Sequence, residues 1–250
     1  MNSSSTILEG RNLQVKKGRT VILDVPGIQI QEGEFLSVIG PNGAGKTTLL
    51  QVLCCLMKSD MGEVLFRGRK VGSEYNLIDY RRKVTMVFQE PLLFDTTVFN
   101  NVASGLKFRG IKQSETEAIV MENLERFGIG HLKNRSARTL SSGEARKTGI
   151  ARALALKPEI LFLDEPFGSL DPLARDNLFS DLEKVIPGSG LTVILATHDC
   201  EEALRLSNRI AVMENGEVIQ VDEHEKVLKR PVNNFVASFY RLSKSWCYTK

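Results

Sequence analysis

A chain of 250 residues, 42% of them hydrophobic, suits one large domain with an inserted subdomain and can bury a core. Its net charge of +3, from 33 basic and 30 acidic residues, is too near neutral for a nucleic-acid binder, so no nucleic acid is expected among its partners. MNSSSTILEG lacks the charged-then-apolar order of a signal peptide, no apolar run approaches the roughly 18 residues a spanning helix needs, and Cys54, Cys55, Cys200 and Cys247 form neither a CxxC pair nor a metal spacing, which together predict reduced thiols in an intracellular protein.

Short apolar runs between glycine turns predict strands over 7–15, 21–30, 35–39 and 62–66, with breaks at Lys17-Gly18 and Glu32-Gly33. The run FLSVI, Phe35 to Ile39, leads straight into a helix predicted over 46–57, whose leucines at 49, 50, 53 and 56 have the spacing of one buried face. From about Pro91 to Lys157 the pattern turns helical. There 114–127 reads as an amphipathic helix, with Thr116, Glu117 and Glu122 among its polar positions, and 145–156 reads as another. Continuous apolar runs at 160–163 and 192–196 fit parallel strands covered on both faces, with a helix over 172–185 between them. Strand-like segments 210–214 and 218–221 flank Asn215-Gly216, the signal of a hairpin. The alternation predicts an α/β fold with a parallel sheet, interrupted by the helical stretch over about 91–157. The expected domain covers 1–240, followed by a short tail, 241–250, with no regulatory domain.

GPNGAGKT, residues 40–47, fits the pattern GxxxxGK[ST] between a strand and a helix. Such a loop, here Gly40, Pro41, Asn42, Gly43, Ala44 and Gly45, wraps phosphate oxygens with its backbone amides, and the helix opening at Lys46, Thr47 and Thr48 adds its positive end. Lys46 would reach the β- and γ-phosphates, and the Thr47 hydroxyl would ligate Mg²⁺. In ILFLDE, residues 160–165, two carboxylates emerge at the end of an apolar strand, where ligands of open α/β sheets bind. Asp164 fits the carboxylate that holds Mg²⁺, and Glu165 is placed to orient or deprotonate an attacking water. The pair points to a nucleotide hydrolase rather than a kinase. TLSSGEARK, residues 139–147, taken alone, reads as a helix cap.

The ordered set GPNGAGKTT at 40–48, VFQEP with Gln89, LSSGE at 140–144, ILFLDEP at 160–166, SLD at 169–171 and THD at 197–199 resembles the ATP-binding cassette family, the motor subunits of ABC transporters, over about residues 8–239. The resemblance implies an α/β P-loop NTPase core with a parallel sheet, an N-terminal antiparallel β part and an inserted helical subdomain over about 91–157, with ATP and Mg²⁺ as cofactors. It implies that Gln89 reaches the Mg²⁺ and the attacking water while sensing a membrane partner, that His198 contacts the γ-phosphate, and that Asp171 belongs to a loop linking two sites across a dimer. It further implies that Ser141, Ser142, Gly143 and Glu144 bind the γ-phosphate of ATP held by a second copy of the chain, so that two chains sandwich two ATP molecules head to tail. The chain departs from the family's usual glycine at Ser142 and from its frequent glutamine at Glu144. Lys17 stands 23 positions before Gly40, where the family commonly sets an aromatic residue against adenine.

A cassette on its own chain resembles the importer arrangement. LDVPGIQI, QEPLLFDTTVFNNVASGLKFRG and SGEARKTGIARALALKPEILFLDEP resemble tungstate-type importer motors. The implied partners are membrane permease subunits and, indirectly, a solute-binding protein, with a cytoplasmic location on the inner face of the membrane. Leu92, Leu93, Phe94 and Phe99, following Gln89, are expected to face the permease. The alternative is a non-transport ABC ATPase of the repair or translation type, whose heptad insertions or second cassette this sequence lacks.

Overall fold

The computed structural model describes residues 5–238, so residues 1–4, Phe239, the tail predicted over 241–250 and Cys247 lie outside the described residues. In chain order the elements are β1 (Thr6–Lys17), β2 (Thr20–Gln31), β3 (Phe35–Ile39), α1 (Lys46–Leu53), β4 (Met61–Phe66), β5 (Arg69–Lys70), α2 (Leu77–Lys83), β6 (Val84–Val87), α3 (Val98–Phe108), α4 (Gln113–Arg126), α5 (Ser142–Ala155), β7 (Ile160–Asp164), α6 (Pro172–Val185), β8 (Thr192–Thr197), α7 (Cys200–Leu206), β9 (Arg209–Glu214), β10 (Glu217–Glu223) and α8 (His224–Lys229). They fall into two compact units, one containing residues 5–84 and 192–238, the other residues 85–191.

In the first unit β1 pairs antiparallel with β2 and with β4, giving the order β2-β1-β4-β5. The pairs Leu8↔Ile30, Leu13↔Val25 and Val15↔Leu23 are buried on both strands, and Leu13 with Val15 and Leu23 with Val25 show the two-residue spacing of side chains on one face. The unit's other strands run in the order β10-β9-β3-β8, with β3 parallel to both β8 and β9. Every residue of β3 and β8 is buried, as strands covered on both faces must be. The Asn215-Gly216 hairpin forms as expected, both residues taking positive φ (50° and 86°), which a type I′ turn requires.

The helix predicted over 46–57 ends at Leu53 instead. Fully buried Tyr80 donates its hydroxyl to the Leu53 carbonyl at 2.6 Å, Arg81 donates to the Cys55 carbonyl at 2.7 Å, and Cys55 turns left-handed at φ 55°. These groups satisfy carbonyls that a longer helix would have used itself. Leu49, Leu50 and Leu53 are buried, but Leu56 is 51% exposed. Cys54, Cys55 and Cys200 are free thiols.

The second unit holds β6, β7 and helices α3 to α6. Its helices pack through Val98, Val102 and Leu106 of α3, Val120 and Leu124 of α4, and Ile150 and Leu154 of α5, all buried. Thr116, read as a polar-face residue of α4, is fully buried, its hydroxyl donating to the Ile111 carbonyl at 3.4 Å. α5 starts at Ser142, three residues before the predicted 145, for a reason that belongs to the site. The helix predicted over 172–185 is α6, with Asp171 as N-cap and Pro172 inside its first turn.

Candidate nucleotide site

In the first unit Ile39 of β3 sits opposite Thr197 of β8. The two strands are parallel, so Gly40 and His198 leave neighbouring strands at the same carboxyl edge, the ligand-binding edge of such sheets. From Gly40 the loop runs to Gly45, whose φ of 95° lies in the left-handed region that a side chain would strain. Gly45 caps α1 without a side-chain hydrogen bond, and the first turn of α1 carries no acid. By contrast α5, α6 and α7 are closed by Ser141, Asp171 and Asp199. An uncapped helix N-terminus of this kind favours an anion. Lys46 is buried, and its Nζ donates to the carbonyls of Gly40 (2.8 Å) and Pro41 (3.1 Å). Pro41, Asn42, Gly43 and Thr47 are exposed, Ala44 is buried and Thr48 is half-buried.

Two supports of this set were not foreseen. The Gly216 amide donates to the Ala44 carbonyl at 3.0 Å, and the Gly216 carbonyl accepts from Asp24 at 2.8 Å, so the β9–β10 turn braces the loop. Its only trace in the sequence is the Asn-Gly pair. The Thr197 hydroxyl accepts from the Asp199 amide at 3.0 Å and is hydrogen-bonded to the buried Glu202 carboxylate, which fixes the residues on either side of exposed His198. Lys17 is exposed at the end of β1, on the hairpin of the other sheet.

The second unit carries the remaining residues. Asp164 closes β7 and is buried; Glu165 follows, half-buried, at a φ of 44°. A left-handed residue other than glycine costs on the order of 1–3 kcal/mol, a strain that concentrates at functional positions. Gln89 is exposed just past β6, and a Cβ placed on Gly168 would lie 3.6 Å from its Nε2 and 3.3 Å from the Glu165 carbonyl. Gln89, Glu165 and Gly168 are therefore neighbours.

Ser141 and Glu144 form a capping box. The Ser141 hydroxyl accepts from the Glu144 amide at 3.3 Å, and the Glu144 carboxylate accepts from the Ser141 amide at 2.7 Å. This is why α5 begins early, and the spacing Ser-x-x-Glu was its signal. The Ser141 amide above all, with lesser help from its hydroxyl and from nearby Arg135, holds the Glu144 carboxyl below the usual carboxylate range against the opposing effect of burial. Ser142 is exposed and Gly143 buried in the first turn. Asp171 Oδ1 accepts from the Ala174 amide at 2.9 Å and caps α6.

Of the apolar residues after Gln89, Leu92 and Phe94 are 58% and 53% exposed, whereas Leu93 and Phe99 are half-buried. Phe108, which was not foreseen, is 86% exposed. It lines an open groove with Phe94, Thr96, Asn100, Ser104 and Lys107.

The open helix N-terminus, the loop amides and a lysine already seated on the loop fit a polyphosphate. A threonine hydroxyl and an aspartate carboxylate are hard oxygen donors of the kind Mg²⁺ takes. Among the described residues no helix is long and apolar enough to cross a membrane.

Residues 23–168 match the family described as ABC transporter. The spermidine/putrescine import ATP-binding protein PotA of Trichormus variabilis is 39% identical over 213 residues, which cover 85% of this chain and 55% of that one. The molybdate/tungstate import ATP-binding protein WtpC of Pyrococcus horikoshii is also 39% identical, over 84% of this chain and 60% of its own length. The chain thus spans little more than half the length of these relatives. Two solved structures share the fold. One is cbiO1 from Clostridium perfringens, part of the ABC transporter complex cbiONQ, with a TM-score of 0.79, 28% identity and coverage of 95% of this chain and 99% of that one. The other is the ATP-binding cassette MJ0796, a dimer in a post-hydrolysis state bound to ADP and Pi, with a TM-score of 0.78, 31% identity and coverage of 87% and 98%.

Proposed function

Since this chain belongs to the ABC transporter family, we propose that it binds and hydrolyses ATP as the motor subunit of an importer. The observation that carries the reading is the loop from Gly40 to Thr48, with its uncapped helix and buried Lys46. Amides of residues 40–45 and the Lys46 ammonium hold the phosphates. Thr47 and Asp164, with Gln89, would hold Mg²⁺, which when bound neutralises charge between the terminal phosphates. Glu165 accepts the proton of the attacking water, Gln89 orients that water, and His198 donates to the γ-phosphate. Lys17 lies under adenine with an alkyl stem and a cation in place of a ring.

The same reading makes the active species a dimer, with Ser141, Ser142, Gly143 and Glu144 of one copy against ATP on the other, and Asp171 between the two sites. The exposed phenylalanines Phe94 and Phe108 offer a permease an apolar seat, which puts the chain peripherally on the inner face of the membrane. For the cargo we infer an oxyanion of the tungstate type, supported by the resemblance of three segments and by the WtpC relative. The PotA relative is equally similar, so uptake of tungstate against spermidine by the assembled transporter decides the cargo.

The function is tested with Glu165→Gln. The amide cannot accept the proton, so turnover should vanish while ATP binding persists, and ATP should hold the variant as a dimer on gel filtration. Normal hydrolysis by the purified variant would remove Glu165 from its role.

A further inference from the structure

Arg146 lies in the second turn of α5 and is 4% exposed. Its Nη1 donates to the Phe88 carbonyl at 3.1 Å and its Nη2 to the Gly168 carbonyl at 3.2 Å. Its buried Nε has no acceptor, and no carboxylate pairs with the guanidinium among the described residues. A buried cation without a counter-ion costs stability, and an apolar side chain of similar length would avoid that cost. Stability therefore does not account for an arginine here, and the two carbonyls it holds do.

Phe88 immediately precedes Gln89. Gly168 closes the turn that starts at Glu165, its amide donating to the Glu165 carbonyl at 3.1 Å. Further along the same helix, Arg152 donates to the carbonyls of Pro91 (2.9 Å) and Leu92 (3.0 Å). The segment after β6 is thus pinned to α5 on both sides of Gln89. We propose that Arg146 is a positioning residue for hydrolysis, one fork that sets the Gln89 and Glu165 turns in register with the helix opened by LSSGE. A displacement of the first turn of α5 by a ligand passes through this fork to both turns. The proposal rests on the roles given above to Gln89 and Glu165. A lysine cannot replace the fork, because a single ammonium serves one carbonyl well and not two in fixed geometry.

The test compares Arg146→Met and Arg146→Lys with the parent chain by steady-state hydrolysis, ATP affinity and amide hydrogen exchange. In Arg146→Met, kcat should fall roughly ten- to a hundredfold, the scale of a small misplacement of catalytic groups. The ATP dissociation constant, set by the separate loop at 40–48, should stay within about twofold. Arg146→Lys should lie between Met and the parent. Exchange should quicken over residues 86–92 and 165–171 and stay unchanged over 40–50. A folded Arg146→Met with parental kcat overturns the proposal, as does an equal loss of kcat and ATP affinity with exchange rising throughout, which marks plain destabilisation. If Arg146→Met does not fold, Arg146→Lys carries the same comparison. If the parent itself hydrolyses no ATP, the functional reading fails, and the exchange pattern still decides whether Arg146 holds the two turns.

Discussion

Lys46 holds its own loop, with Gly40 and Pro41 carbonyls as acceptors. On the proposed function phosphate oxygens compete with those acceptors, and their charge would make the exchange favourable. Lys46→Ala should weaken ATP binding roughly ten- to a hundredfold, since a hydrogen bond to a charged group contributes about 1.5–3 kcal/mol. Titration with a fluorescent ATP analogue measures this, and a folded variant with parental affinity would take Lys46 out of the site. The loop was legible because its own residues are nine consecutive ones, GPNGAGKTT, whereas the Gly216 brace from the β9–β10 turn lies far away in sequence. Arg146 was not, because its acceptors are backbone carbonyls 58 and 22 positions away. Backbone carbonyls carry no residue-type signal, so no motif could announce that contact. Glu202 was hidden differently: its partner Thr197 is close in sequence, but nothing in the run THDCEE says which of the three acids turns inward.

Helix ends divide the same way. α6 matches its predicted bounds because Asp171 and Pro172 announce its start locally. α1 stops short because Tyr80, 27 residues beyond Leu53, takes a carbonyl that periodicity alone assigns to the helix. The start of α5 was legible in principle through Ser141 and Glu144. Its capping box also has a pH dependence. The folded-state pKa of Glu144 is depressed, so its contribution is complete above the ordinary value of 4.5 and is lost as pH falls through the lower folded value. Glu144→Ala should therefore cost about 1 kcal/mol in urea unfolding at neutral pH, as the loss of a cap does. The deficit should shrink toward zero at an acid pH below the depressed folded pKa, where the parent's carboxylate is protonated as well. An equal deficit at both pH values would mean that the charge of Glu144 takes no part in the cap.

For the whole molecule the decisive question is whether LSSGE only closes its own helix or also meets nucleotide on a second copy. The cap occupies the Ser141 hydroxyl and amide and leaves Ser142 exposed beside them, so Ser142 is the position to label; a thiol at 141 would break the capping box and confuse the result. Asn42 is exposed on the phosphate loop and serves as the opposite label. A disulfide forms only when Cα atoms lie about 4.4–6.8 Å apart, so it reports a close approach and little else. Cys54 and Cys200 are buried and can stay, while Cys55 and Cys247 are replaced by serine. One chain then carries Asn42→Cys and the other Ser142→Cys, both with Glu165→Gln so that bound ATP is not consumed. With Mg-ATP and mild oxidation the mixture should give a covalent dimer on a denaturing gel. Without nucleotide, or with either chain alone, it should remain largely monomeric. Neighbouring pairs, Asn42 with Gly143 and Gly43 with Ser142, guard against one unlucky side-chain direction. If every pair fails to cross-link with ATP while Glu165→Gln still binds it, the sandwich is wrong, and LSSGE is a helix cap and nothing more.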